Sequence, residues 1–320
     1  MSIEKLRNKL TGISGILITP FDENDSIAPA ILKPIIDRAI DAGVHMLVAN
    51  GNTGEFYGLT IGEAERMVHA AVEQTAGRVP LIAGVGRSLH EACSLARISH
   101  AAGASALVIH QPPDPFVSPR GMVGYVKRVS DACNGLPILL YLRDDGIGLD
   151  VIEDLCRVPN VVGVKWACPT PIRLAEAIRR LSPEIVWVCG LAETWAPSFS
   201  AVGARGFTSG LINVWPVQSV AIHNALEAGN YRSAMELIRV IAGFEELRSE
   251  ERNGANVSVI KAALQLTGQN FGHVRAPGAW PLTERQEEKL RDQIEEWRAH
   301  PGSPVLSAKN RTKLENESLN

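Results

Sequence analysis

No basic cluster, no CxxC pair and no apolar stretch of about 18 residues occurs in the 320-residue sequence, and each absence removes a class of function. Lys and Arg number 32 against 35 Asp and Glu, so the cationic surplus that a general nucleic-acid binder needs for phosphate contacts is missing. No membrane span is expected. The five cysteines, Cys93, Cys133, Cys156, Cys168 and Cys189, are scattered through mostly apolar surroundings, an odd number that fits a reducing compartment. The eight histidines show no HxxxH or HExxH spacing, which argues against a metal-dependent aldolase, and no metal or other cofactor is expected. Met1 to Leu10 mixes Glu4, Lys5, Arg7 and Lys9 with isolated apolar residues, unlike the continuous apolar core of a signal peptide. The expectation is a soluble cytoplasmic protein with neither nucleic acid nor membrane among its partners.

Hydrophobic residues make up 45% and charged residues 21%, which excludes a disordered or fibrous chain and leaves enough length for a large core. Short runs rich in Val, Ile and Leu recur: Ile13 to Thr19, His45 to Ala49, Pro80 to Gly84, Ala106 to His110, Pro137 to Tyr141, Val161 to Trp166, Ile185 to Cys189 and Arg205 to Ser209. They alternate little, as suits parallel strands covered on both faces. Between them lie segments of helical spacing, among them Ala30 to Ala42, Ile61 to Ala76, Leu89 to Ala102, Pro119 to Ala132, Leu149 to Cys156 and Pro171 to Leu181. Thr60 with Glu63 forms a capping-box pattern, and Ala42-Gly43, Ala102-Gly103 and Val202-Gly203 read as helix stops. Strand-helix units of about 25 residues repeated about eight times predict a (β/α)8 TIM barrel. A doubly wound open sheet is disfavoured, because the first strand runs into Thr19-Pro20-Phe21-Asp22 rather than a glycine fingerprint.

Beyond Pro216 the strand signal stops, and Val217 to Ala228, Tyr231 to Arg248, Val257 to Thr267 and Glu284 to Arg298 read as helices. The sequence therefore predicts a barrel over 1–215, a C-terminal helical region over 216–300 and a polar, mobile tail over 301–320.

Catalytic residues of such barrels stand at the C-terminal ends of strands, which makes polar strand ends informative. Lys165 closes the apolar run Val161-Val162-Gly163-Val164. Burial disfavours a charged amine, and a neutral amine attacks a carbonyl to form a Schiff base; the alternative is a lysine whose stem is buried and whose head reaches solvent. Tyr141 ends the neighbouring fifth strand and could relay protons to and from the same intermediate. After the second strand, Asn50-Gly51-Asn52-Thr53-Gly54-Glu55 is a glycine-rich turn whose amides could grip a carboxylate, with Glu55 satisfying backbone amides below the site.

Taken in order, Gly51-Asn52-Thr53-Gly54-Glu55, Tyr141 and Gly163-Val164-Lys165 resemble the dihydrodipicolinate synthase and N-acetylneuraminate lyase superfamily, and the likeness runs from Gly15-Ile16-Leu17-Ile18-Thr19-Pro20-Phe21 through the C-terminal helices. The resemblance implies a homotetrameric or homodimeric barrel enzyme without a cofactor. It would bind a pyruvate-like 2-oxo acid as an imine on Lys165, with Tyr141 as proton relay and Asn52, Thr53 and Gly54 at the carboxylate.

The synthase pattern has two adjacent threonines where this chain has Asn52-Thr53, a tyrosine after the fourth strand where it reads Gln111-Pro112-Pro113, and an arginine where it has Gly146. Asn52 to Tyr57, Tyr141-Leu142-Arg143-Asp144-Asp145 and Val274-Arg275-Ala276-Pro277 are closest to the 5-dehydro-4-deoxyglucarate dehydratase branch. Dehydration of a sugar-derived 2-oxo-3-deoxy acid, with or without decarboxylation, is therefore the leading expectation. Aldol chemistry of the same superfamily and a non-catalytic 2-oxo acid sensor are the alternatives. Arg143 is a candidate for a distant substrate carboxylate or hydroxyl, or else pairs with Asp144 or Asp145 on a surface loop. Gly190, Thr208 and Ser209 close the seventh and eighth strands and are candidates for lining the pocket, ordinary barrel packing being the alternative.

Overall fold

The computed structural model describes residues 2–300 and 302–304, so most of the tail predicted over 301–320 lies outside the described residues. Helix α1 (Ile3–Leu10) precedes eight strands: β1 (Ile13–Ile16), β2 (Met46–Ala49), β3 (Leu81–Val85), β4 (Ala106–His110), β5 (Ile138–Leu142), β6 (Val161–Trp166), β7 (Val186–Cys189) and β8 (Gly206–Ser209). Between the strands run α2 (Lys33–Asp41), α3 (Ile61–Thr75), α4 (Leu89–Ala102), α5 (Pro119–Ala132), α6 (Leu149–Cys156), α7 (Pro171–Arg180) and α8 (Ala192–Ala201). After β8 come α9 (Pro216–Glu227), α10 (Tyr231–Ser249), α11 (Asn256–Leu266) and α12 (Glu284–Trp297). Every strand pairs in parallel with its sequence neighbours and β1 also pairs with β8, closing the (β/α)8 barrel that the apolar runs predict.

Local chemistry explains the boundaries. Thr60 and Ser88 make reciprocal capping boxes with Glu63 and Glu91 at the starts of α3 and α4. Gly103 ends α4 at φ +93°, where a Cβ would be strained. Among the described residues no helix is long and apolar enough to cross a membrane.

Two apolar layers form. The outer one packs helices on strands, and the inner one fills the barrel with Ile16, Met46, Val48, Ile82, Val108, Leu139 and Val188. Leu6 and Leu10 of α1 join that inner layer and stop the barrel floor, each fully buried leucine contributing about 1.5–3 kcal/mol. Sequence periodicity does not reveal α1, since only its tertiary seat shows why those two leucines are apolar.

The sequence assigns the helix after β8 to the appended region, but α9 touches α8, α2 and β1 and completes the outer ring. The appended helices are therefore α10 to α12. They are anchored by Trp297, whose indole N–H donates to the Val240 carbonyl at 2.9 Å and whose ring stands 5.0 Å from Trp215 and 5.2 Å from Phe244. The α10–α11 connection lies at the C-terminal mouth of the barrel, where Arg248 fills the space that a Cβ on Gly210 would occupy.

Candidate active site

Lys165 and Tyr141 are direct register partners on β6 and β5. Strict alternation along β6 would not allow Val162 and Lys165, three residues apart, both to face the interior. A register irregularity resolves this: Ile138 pairs with Val161, but the next residue, Leu139, pairs with Gly163. That extra residue resets the phase and aims Lys165 inward, the familiar use of a bulge beside a site.

The amine lies 4.0 Å from the centre of the Tyr141 ring, and Lys165 is only 8% exposed. Burial takes the ammonium out of water and pulls its pKa down to about 8, with the Arg143 charge acting in the same direction. The same burial pushes the Tyr141 phenol up to about 12. Near neutral pH, then, the phenol keeps its proton while a fraction of the amine is unprotonated. Asn52 Nδ2 donates to the phenol oxygen at 2.8 Å, so the phenol accepts from Asn52 and its own hydrogen remains for a substrate or the amine.

The turn after β2 is set by left-handed Asn50 and Glu55, at φ +58° and +54°. Gly51 is needed there because a Cβ would lie 2.5 Å from Ile16 Cγ2. The Gly54 amide donates to Gly51 O within the turn, and the Gly54 carbonyl accepts from Thr19 Oγ1 at 2.6 Å. Gly54 faces the backbone just past β1 rather than the cavity, since a Cβ on it would stand 2.9 Å from Leu17 O. Asn52 and Thr53 do line the cavity.

Glu55 is a tie beneath the turn. Its carboxylate accepts from the Arg275 amide at 3.0 Å, as the sequence suggests, and also from Lys261 Nζ at 2.8 Å, which the sequence does not reveal. Lys261 is wholly buried and its ammonium sits 4.4 Å from the centre of the Phe21 ring.

Above Lys165 opens a cavity of about 500 Å³ that Tyr141, Arg143, Gly190 and Thr208 also line. Ser209 does not line it. Thr208 and Ser209 are adjacent on β8, so their side chains leave opposite faces, and the Ser209 hydroxyl meets Ser219 Oγ at 3.1 Å behind the barrel. Ser219 in turn donates to the buried Glu193 at 2.6 Å.

Arg143 takes the cavity reading rather than the surface ion pair. Asp145 accepts from Thr170 at 2.7 Å and pairs with Arg173 at 3.4 Å, while Asp144 caps the Gly146 amide at 2.8 Å. Gln111 Oε1 accepts from the Arg143 and Asp144 amides at 2.7 and 2.9 Å, fixing the loop that carries the guanidinium.

Sequence reasoning missed His110 and the far wall. His110 ends β4 much as Lys165 nearly ends β6, so the polar strand-end signal was available. Its ring stacks on Phe56 at 4.5 Å and stands edge-on to Tyr141 at 5.3 Å. A carbonyl can only accept, so Nε2 carries a hydrogen toward Asn50 O at 3.0 Å. Full burial, helped by the Lys165 charge, lowers its pKa to about 3, so it is a neutral wedge behind the phenol. The far wall comes from the α10–α11 region and includes Glu245, Arg248, Arg252, Asn253 and Asn256. No local pattern marks these as belonging to the site of a lysine 80 or more residues earlier in the chain.

Residues 9–297 match the model of the dihydrodipicolinate synthetase family. A relative from Streptomyces coelicolor named "Probable 5-dehydro-4-deoxyglucarate dehydratase 1" is 31% identical over 296 residues, spanning 89% of this chain and 93% of its own. A relative from Bacillus subtilis named "Probable 5-dehydro-4-deoxyglucarate dehydratase" is 27% identical over 90% of this chain and 94% of its own. Among solved structures, a dihydrodipicolinate synthase from Bacillus clausii is 37% identical with a TM-score of 0.88, covering 92% of this chain and 99% of that one. Another from Oceanobacillus iheyensis is 34% identical with a TM-score of 0.89, covering 93% and 100%.

Proposed function

The chain belongs to the dihydrodipicolinate synthetase family, and from that premise we propose that it is a class I lyase that binds a sugar-derived 2-oxo-3-deoxy acid as an imine on Lys165 and dehydrates it. The observation that carries this reading is a buried amine, lowered to about 8, against a buried phenol on the floor of a cavity of about 500 Å³. Neutral Lys165 attacks C2 of the acid, and Tyr141 passes the proton that turns the carbinolamine hydroxyl into departing water. The protonated imine then draws electrons from C3, whose proton leaves. The resulting enamine expels the C4 hydroxyl, which takes up a proton in place of the one lost from C3 and departs as water, and hydrolysis of the imine restores the amine. Asn52 and Thr53 hold the carboxylate beside the imine, and Arg143 meets the more distant part of the substrate.

Three features favour this branch over lysine biosynthesis: Asn52 replaces the first threonine of the synthase relay, Gly146 replaces its arginine, and Gln111-Pro112-Pro113 replaces the tyrosine-bearing segment. The names of the sequence relatives support the same substrate. The 37% identity to a solved synthase favours a second reading, aldol chemistry through the same enamine. A homo-oligomeric cytoplasmic enzyme is part of the proposal, and light scattering tests the assembly. Borohydride reduction in the presence of pyruvate should add mass to Lys165, and a mass-spectrometric screen of 2-oxo acids should show loss of water. Failure to trap any acid on Lys165 would overturn the imine. Trapping with cleavage or condensation products alone would favour the aldolase, and trapping with no product would favour a sensor.

A further inference from the structure

Three consecutive non-glycine residues, Glu251, Arg252 and Asn253, hold φ values of +52°, +58° and +68° in the connection between α10 and α11. Such conformations are disfavoured for any side chain with a Cβ, and a run of three marks a connection held in a strained form by its surroundings. The strain comes with a sorting of charge. Glu250 turns outward to α12, where it accepts from Arg285 and Gln286 at 2.8 and 2.9 Å, and Glu251 accepts from the same Gln286 at 3.2 Å. Arg252 and Asn253 turn the other way and line the cavity above Lys165.

Among the described residues the cavity wall holds one carboxylate, Glu245, and Arg248 already pairs with it at 2.5 Å. Arg248 is itself tied to Asn256, donating from Nε at 3.0 Å and from Nη2 at 2.8 Å. Two guanidiniums remain, Arg143 on the loop after β5 and Arg252 on the strained connection. Neither has an ion-pair partner among the described residues. The wall is thus cationic, with two guanidiniums whose charge no acidic side chain among the described residues compensates.

We propose that Arg252 is a specificity residue which, with Arg143 from a separate wall, binds a second anionic group at the far end of the substrate, so that the site selects 2-oxo diacids over 2-oxo monoacids. The assignment rests on the imine reading above for the orientation of the substrate. Guanidinium suits this task because its planar donors match a carboxylate at two points. The strained connection keeps those donors at the mouth, where a flexible lysine on a relaxed loop would spread its charge over many positions.

The test compares the parent protein with Arg252→Gln and Arg252→Lys on two substrates. One is 5-dehydro-4-deoxyglucarate, and the other is the monoacid in which its far carboxylate is replaced by a hydroxymethyl group. The ratio of kcat/KM for diacid over monoacid should fall about 10- to 100-fold in Arg252→Gln, the range for a lost charge-assisted hydrogen bond, mainly through KM, and should recover in part in Arg252→Lys. Borohydride trapping of pyruvate on Lys165 should persist in both variants, which separates this residue from the imine chemistry. An unchanged ratio, or an equal loss for both substrates, would overturn the proposal. Should the parent fail to trap pyruvate, the imine reading falls by itself. Calorimetric binding of the diacid to parent and Arg252→Gln then still decides the matter, equal Kd values overturning the role of Arg252 and a weaker Kd in the variant supporting it.

Discussion

Replacing Lys165 with methionine should destroy imine formation and at the same time make the protein more stable at neutral pH. The amine is 8% exposed, and burial lowers its pKa from the ordinary 10.5 to about 8. At about 1.4 kcal/mol per pH unit, that difference corresponds to about 3 kcal/mol of penalty for keeping the ammonium in the folded barrel. Methionine keeps most of the lysine stem and its packing while removing the charge, so little is lost on the other side. The sign with pH follows from proton counting. Between about pH 8 and 10.5 the unfolded chain binds the proton and the folded chain does not, so the parent gains stability as pH rises through that window. Below it both states are protonated and the penalty is fully present; above it both are neutral and the penalty is gone. Chemical denaturation of parent and Lys165→Met at pH 7, 9 and 10.5 measures the difference directly. The variant should lead by up to about 3 kcal/mol at pH 7, and the lead should shrink toward the alkaline end. A variant no more stable than the parent at pH 7, or a lead that ignores pH, would refute the claim that this amine is held against its hydration. The same pKa sets the rate of trapping: at pH 7 about one amine in ten is neutral, so pyruvate capture should rise close to tenfold from pH 6 to 7 and level off above about 8.

Tyr141→Phe removes the phenol but not the ring against which Lys165 rests, so turnover should fall by about 10²- to 10⁴-fold with the unfolding transition retained. Unchanged rates would end the relay role. Glu55→Gln leaves the buried Lys261 ammonium without its carboxylate, 2.8 Å away in the parent, and should cost about 3–5 kcal/mol in denaturation experiments. A loss below about 1 kcal/mol, the range of surface pairs, would show that the pair is hydrated. His110, lowered to about 3 by burial, stays neutral across the working range, so kcat/KM against pH should carry no inflection between about 6 and 7. An inflection there that vanishes in His110→Phe would contradict its assignment as a neutral wedge.

Much of the barrel is written locally. The runs Ala106 to His110 and Val161 to Trp166 coincide with β4 and β6 residue for residue, because a strand buried on both faces must be apolar throughout and its polar ends then stand out. The capping residues Thr60 and Ser88 likewise fix helix starts through hydrogen bonds that span three residues. Lys165 and Tyr141 were legible for the same reason, as polar side chains closing apolar runs on adjacent strands.

What tertiary structure alone decided depends on contacts between distant parts of the chain. The register shift opposite Ile138 and Leu139 turns Lys165 inward, and it exists only once β5 and β6 are paired. Alternation on the closed sheet sends Ser209 to the outer face while Thr208 stays inside, although in sequence the two are interchangeable as pocket candidates. Glu55 finds Lys261 across 206 residues, and Arg252 reaches the mouth of a barrel whose last strand ended more than 40 residues earlier. Periodicity and capping are settled within a few residues by backbone geometry, whereas a charge buried against a remote partner is settled by which surfaces the closed barrel brings together.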